Sequence, residues 1–198
     1  MFTGIIAAIG TIVRAEPRDK ALRLKIDAGA LDLQDVGVGD SIAINGVCLT
    51  VVTLAGREFE VDVSQETIDC TAGLGAPGSV NLEKSLRLAD RLGGHLVAGH
   101  VDGVGEVVAF DQVGANRRLV VRAPRELAKY VARKGSITVQ GVSLTVNRVE
   151  DADFEINLIP HTLEMTTLRH LAPGARVNLE VDLIARYVER MLEPGDES

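Results

Sequence analysis

Apolar and polar residues alternate with a period of two through much of this chain, the pattern of strands that bury one face. Leu22, Leu24 and Ile26 alternate with Arg23 and Lys25, and Leu119–Val121 holds the matching place further along. Around Asn45-Gly46, the residues Ile42, Ile44, Val47, Leu49 and Val51 alternate with Ser41, Ala43, Cys48 and Thr50. Asn-Gly is a strong hairpin signal because both residues tolerate positive φ. A two-residue turn there sets Ile44 opposite Val47, Ala43 opposite Cys48, Ile42 opposite Leu49 and Ser41 opposite Thr50. The apolar set then faces a core, and Ser41, Cys48 and Thr50 share the other face. Further strands are expected over Gly4–Val13, Leu96–Val108, Phe59–Ser64, Phe154–Ile159, Val80–Glu83 and Val177–Asp182.

A helical period appears in few places. Pro124–Val131 starts with a proline suited to a first turn and ends near Gly135, with Ala28–Val36 as a weaker counterpart. The linker Lys84–Gly94 reads as a short helix through Leu88 and Leu92, stopped by Gly93-Gly94. Leu183–Leu192 places Leu183, Tyr187 and Met191 in one row, flanked by Ile184, Val188 and Leu192. Such an apolar face must be covered. A helix this short is not stable alone, so it packs on its own chain or on another subunit.

The hairpin is written twice. SIAINGVCLTV at Ser41–Val51 recurs as SITVQGVSLTV at Ser136–Val146, so Ser136, Thr138, Ser143 and Thr145 share a face in turn. The same offset pairs Gly4 with Gly99, Gly10 with Gly105, Phe59-Glu60 with Phe154-Glu155, and Thr67 with Thr162. Gly10 and Gly105, inside strand patterns, mark a bulge, a bend or a close approach. One offset held this far indicates duplication and fusion of one domain. About six short strands per half, with glycines at bends, imply two small antiparallel barrels. The expected division is residues 1–94 for the first barrel and linker, 95–182 for the second, and 183–198 for the C-terminal helix and tail.

Composition narrows the function. A net charge of −7 and an aromatic content of 3% argue against nucleic acid, which needs a basic patch and stacking rings. Gly4–Val13 is too short to span a bilayer and lacks the flank of a secretory signal, so no membrane role is expected. Two cysteines, Cys48 and Cys70, make no disulfide framework and point to a reducing cytoplasm. His95 and His100 fall on opposite faces of a strand, and no carboxylate or thiol cluster completes a metal site. No strained Gly-x-Ser-x-Gly elbow surrounds a serine, and no glycine-rich phosphate loop precedes a helix. What remains is backbone groups, small hydroxyls, one cysteine and one or two histidines, a set suited to a neutral heterocycle rich in donors and acceptors.

MFTG at the start, NGVCLTV, GGHLVAGHVDG, GVSLTV and IPHTLEMTTL together resemble the riboflavin synthases with two lumazine-binding repeats, over nearly the whole chain. The resemblance implies an all-β fold: two tandem six-stranded antiparallel barrels, Greek-key and flavin-reductase-like, plus the C-terminal helix. It implies a transferase that dismutates two 6,7-dimethyl-8-ribityllumazines by moving a four-carbon unit, without an external cofactor. It implies a homotrimer in which the N-terminal barrel of one subunit faces the C-terminal barrel of another, and leaves room for association with lumazine synthase. A carrier of the same fold that binds lumazine or flavin without turnover is the alternative.

Ligand contacts carry over onto matching positions. In the first barrel they are Gly4, Ile5 and Ile6, then Cys48, Leu49 and Thr50, then Asp62, Val63, Ser64, Gln65, Glu66 and Thr67. In the second they are Gly99, His100 and Val101, then Lys134, then Ser143, Leu144 and Thr145, then Leu158, Ile159, Pro160, His161, Thr162 and Leu163. His100 is either a proton shuttle or an orienting hydrogen bond. Cys48 and Ser143 either polarise or add to the ring, or form its wall. Ser41 orients Cys48 or the ligand. Thr67 and Thr162 bind ring or ribityl oxygens. Phe2 either lids the bound pair or packs in the core, and Asp182 lies where it can cap the last helix. Met165 stands where the family frequently has a charged residue, a departure that removes none of the ligand-contact residues named above.

Overall fold

The computed structural model describes residues 1–192; the tail 193–198 of the expected third segment lies outside the described residues. The first half forms β1 (Ala8–Arg18), β2 (Ala21–Asp27), β3 (Ser41–Ile44), β4 (Val47–Ala55), β5 (Glu58–Ser64), α1 (Gln65–Cys70) and β6 (Gly78–Lys84). The second repeats the series as β7 (Gly103–Val113), β8 (Asn116–Arg122), β9 (Ser136–Val139), β10 (Val142–Glu150), β11 (Asp153–Leu158), α2 (Pro160–Met165) and β12 (Arg176–Val181), followed by α3 (Leu183–Leu192). Each half closes into a six-stranded antiparallel barrel with one topology: β1-β2-β5-β4-β3-β6 and β7-β8-β11-β10-β9-β12. Closure leaves no sheet edge to pair with other chains.

The hairpin register is the one the alternation predicts, Ser41 with Thr50 through Ile44 with Val47, and Ser136 with Thr145 through Val139 with Val142. Asn45 and Gly46 both have positive φ, as do Gln140 and Gly141, which the tight turn requires. Bulges at Ile12/Arg14 and Val51/Thr53 recur at Val107/Ala109 and Val146/Arg148, bending the long strands round each barrel at matching points. Gly10 and Gly105 lie off these bulges. A Cβ on Gly10 would sit 2.4 Å from Leu82, and one on Gly105 would sit 2.8 Å from Leu179, so both glycines serve close packing. Phe59 and Phe154 fill the two cores at matched places. Truncating either to alanine removes an anchor worth about 3–5 kcal/mol.

The expected helices fare less well. Residues 28–36 are turns, pinned by side chains such as Asp32, whose Oδ1 accepts from the Gln34 amide. Pro124–Val131 yields only a 3₁₀ turn at Ala128–Tyr130. Residues 85–93 are coil and turn, with Arg87 and Asp90 bonded to each other and Leu88 fully exposed. Leu183–Leu192 is the helix expected, but it lies on the second barrel by its polar side. Arg186 pairs with Asp102 and Glu189 bonds Lys129 and Tyr130, while Ile184, Tyr187, Met191 and Leu192 face outward.

The two barrels meet across an approximate two-fold axis. Phe2 and Val97, which correspond under the repeat, exchange backbone bonds of 2.7 and 3.1 Å. The hairpin tips meet head-on: a Cβ on Gly46 would lie 2.8 Å from the Gly141 nitrogen, and one on Gly141 would lie 2.6 Å from the Gly46 nitrogen. Two buried asparagines stitch the seam. Asn81 donates to the Gln140 carbonyl and accepts from Thr167 N–H; Asn178 donates to the Asn45 carbonyl and accepts from Ala72 N–H. Each buried amide is thereby satisfied across the boundary, which fixes one docking of the barrels.

Candidate active site: two half-sites with exchanged arms

The segment before each barrel lies across the other barrel. The Gly4 carbonyl accepts from Ser143 N–H at 2.7 Å on β10, and the Gly99 carbonyl accepts from Cys48 N–H at 2.8 Å on β4. Ile6 packs on the second core and Val101 on the first. Residues 3–7 and 98–102 are therefore exchanged arms. Both glycines have φ near +75°, at +74° and +79°. A Cβ on Gly4 would lie 2.6 Å from the Ser143 Cβ, and one on Gly99 would lie 2.7 Å from the Cys48 Cβ. Only glycine fits such an approach.

This corrects the grouping drawn from the sequence. Gly4, Ile5 and Ile6 join Ser143, Leu144 and Thr145 on the second barrel, near Leu158–Leu163 at the start of α2. Gly99, His100 and Val101 join Cys48, Leu49 and Thr50 on the first, near Asp62–Thr67 at the start of α1. The polar faces are also narrower than expected. Ala43 and Thr138, in the middle of each, are fully buried. Leu49, Val63, Leu144 and Leu158 point into the cores, leaving only main chain toward the surface.

Carboxylates hold both arms. Glu83 on β6 accepts from Thr3 N–H at 2.7 Å, Thr3 Oγ1 at 2.6 Å and Gly4 N–H at 2.9 Å. Glu180 on β12 accepts from Ala98, Gly99 and His100 N–H at 2.7, 2.9 and 3.0 Å. Burial pushes Glu83 upward against these donors, and pushes Glu180 up to about 7. Sequence reasoning missed this pair, although the repeated tetrapeptide Val80-Asn81-Leu82-Glu83 and Val177-Asn178-Leu179-Glu180 carries it together with the seam asparagines.

The second half-site holds a histidine that the first lacks. His95 Nδ1 lies 2.7 Å from Ser143 Oγ. Its Nε2 is buried without a hydrogen-bond partner among the described residues. Burial holds the imidazole below its usual pKa, opposed by the charge of Asp182. Gly94 brings this residue in, since a Cβ there would strike the Thr3 carbonyl at 2.1 Å. The Gly93-Gly94 pair ahead of His95 was the available signal.

The remaining candidates spread around these centres. Cys48 is half-buried on Phe2, Ala43 and Val97. Phe2 is wholly buried, so in this chain it backs Cys48 and does not lid an opening. His100 is exposed on its arm. Ser41 and Ile5 line one cavity of about 450 Å³ with Thr3, Asp40, Lys84 and Arg91. Asp62 is engaged by Arg23 in a two-pronged pair. Ser64 caps α1 and its Oγ lies 3.0 Å from Thr67 Oγ1, while Gln65 bonds Asp69 and Glu66 is exposed. At the matched place Ile159, Pro160 and His161 are exposed, and Thr162 and Leu163 half-buried. Lys134, with φ of 66°, bonds Val146 through its backbone, one residue beyond Thr145. Asp182 caps α3 through Ile184 N–H.

Two matched surfaces of hydroxyl, thiol and main-chain groups can each hold one flat polar heterocycle, and only one carries a neutral imidazole on its hydroxyl. The lumazine binding domain model matches the chain twice, at residues 3–85 and 98–182. Riboflavin synthase of Mycobacterium bovis is 49% identical over 97% of this chain and 98% of its own length. Riboflavin synthase of Photobacterium phosphoreum is 44% identical, covering 97% and 89%. Among solved structures, LumP in complex with 6,7-dimethyl-8-(1'-D-ribityl) lumazine superposes with a TM-score of 0.80 at 26% identity, covering 91% of this chain and 99% of that one. LumP with riboflavin gives 0.81 at 28% over the same shares.

Proposed function

The chain belongs to the riboflavin synthase family of enzymes, and we propose on that footing that it dismutates two molecules of 6,7-dimethyl-8-ribityllumazine. One molecule gives up a four-carbon unit and becomes 5-amino-6-(D-ribitylamino)uracil; the other accepts the unit and becomes riboflavin. Two identical substrates give two products, so no outside oxidant or reductant enters the balance. The single observation that carries this reading is the duplicated but unequal half-site, Cys48 under the Gly99 arm and Ser143 under the Gly4 arm.

The chemistry needs a proton removed from the 7-methyl group of one ring, a nucleophile at C7 of the other, and the two rings held face to face. His95, kept neutral by burial, can take a proton through Ser143, so the second half-site suits proton transfer. The thiol of Cys48 has no such base and is suited to contact or addition at the ring. Holding the rings together supplies much of the rate. The half-sites lie on different barrels, so the rings meet when the first barrel of one subunit faces the second barrel of another. The outward apolar face of α3 supports assembly into a homotrimer. Incubating the purified protein with the ribityllumazine alone tests the reaction: riboflavin appears, with two substrates consumed for each. Tight binding without turnover leaves only the carrier reading.

A further inference from the structure

The arms differ in what holds them. The first arm ends in Ala7, and its side-chain clamp is Glu83, which takes two N–H groups and a hydroxyl. The second has Asp102 at the place of Ala7. Asp102 Oδ2 accepts from Val181 N–H at 2.8 Å, and its Oδ1 pairs with Arg186 of α3 at 2.6 Å. Arg186 also donates to the His100 carbonyl at 3.3 Å. The Asp102 side chain is only 11% exposed, so this ion pair is shielded on its acidic side. One guanidinium thus joins the C-terminal helix to the arm at His100 and at Asp102.

We propose that Arg186 is a positioning residue: it sets the Gly99–Val101 arm against Cys48, so that docking of the C-terminal helix orders the first half-site and not the second. This rests on the reaction proposed above for its catalytic consequence, but not for its structural one. A fork that binds a carboxylate and a carbonyl at once fixes an orientation that a point charge does not. The helix has a second anchor, Glu189 on Lys129 and Tyr130, whose partners are not arm residues.

The test compares amide hydrogen exchange and steady-state kinetics in the parent, Arg186→Ala, Arg186→Lys and Glu189→Gln. In Arg186→Ala the Ala98, Gly99 and His100 amides lose protection about 10-fold, while the Thr3 and Gly4 amides of the matched arm keep theirs. Turnover falls about 10-fold with KM near the parent value, since misplacement acts more on the reacting geometry than on binding. Arg186→Lys restores part of both. Glu189→Gln leaves the arm amides unchanged. Unchanged exchange at Gly99 and His100 in Arg186→Ala overturns the proposal, as does equal loss at both arms or equal loss in Glu189→Gln. A parent without turnover overturns the proposed reaction, while the exchange data still decide the role of Arg186.

Discussion

The two half-sites share a scaffold down to the placement of their bulges, yet they differ in the side chains under the arms. Under the Gly4 arm lies a serine hydroxyl with a buried imidazole on it; under the Gly99 arm lies a thiol with an apolar backing of Phe2, Ala43 and Val97. His95 stands on Ser143, whereas the matched thiol of Cys48 packs against apolar groups. Duplication therefore supplied two equal cradles, and the change from Cys48 to Ser143, with His95 just after the linker, supplied the inequality. A dismutation, in which identical molecules take opposite parts, calls for that combination.

The shared part of the comparison breaks most visibly at the arms. Gly4→Val and Gly99→Val each lose about 3 kcal/mol, because a side chain at positive φ must also displace strand backbone. Chemical denaturation checks this, and near-equal losses are expected from the matched contacts. The unequal part breaks at the base. Ser143→Ala and His95→Gln each lower turnover about 100-fold, and the double change is no worse than either alone, since the two groups act as one unit.

The clamps sharpen the comparison through pH. The folded state raises Glu180 to about 7, so the fold favours its protonated form. That contribution is fully present below the unfolded pKa of about 4.5 and is lost as pH rises through about 7. His95, held low, works in the opposite sense, its contribution being lost as pH falls. Glu180→Gln isolates the first effect: between pH 5 and pH 8 the parent loses on the order of 2 kcal/mol relative to the variant. The smallest expected change is at the thiol. Cys48→Ser lowers turnover about 10-fold and leaves lumazine binding nearly intact, as measured by kinetics and fluorescence titration.

Much of the fold was legible in the sequence because a period of two fixes both strand and face. The Ile42–Leu49 register and the doubled barrel follow from it. The failures were local or long-range. Ala28–Val36 and Lys84–Gly94 had helical spacing but too few residues to form a helix without packing, and Asp32, Asp40 and Asp90 bond nearby amides instead. Pattern placed the apolar stripe of α3 correctly but could not say that Arg186 and Glu189 would turn it outward. The arm exchange depends on backbone bonds between residues far apart in sequence, such as Gly4 with Ser143, which no periodicity encodes. Cys48, Thr50, Ser143 and Thr145 stand out in the sequence because the hairpin repeats them. Glu83, Glu180 and His95 stand beside apolar runs or in the linker, where a polar residue draws attention only once its partners are known. Among the described residues no helix is long and apolar enough to cross a membrane.

The central claim is that catalysis needs one half-site of each kind, supplied by different subunits. Thr50 and Thr145 are exposed strand positions beside Cys48 and Ser143, so Thr50→Arg and Thr145→Arg each block one half-site while sparing the core. Each variant alone is expected to be inactive. Subunits of the two, mixed under conditions that allow exchange, place an intact first half-site against an intact second one, and riboflavin formation returns. Mixtures that exchange subunits yet stay inactive would contradict the account.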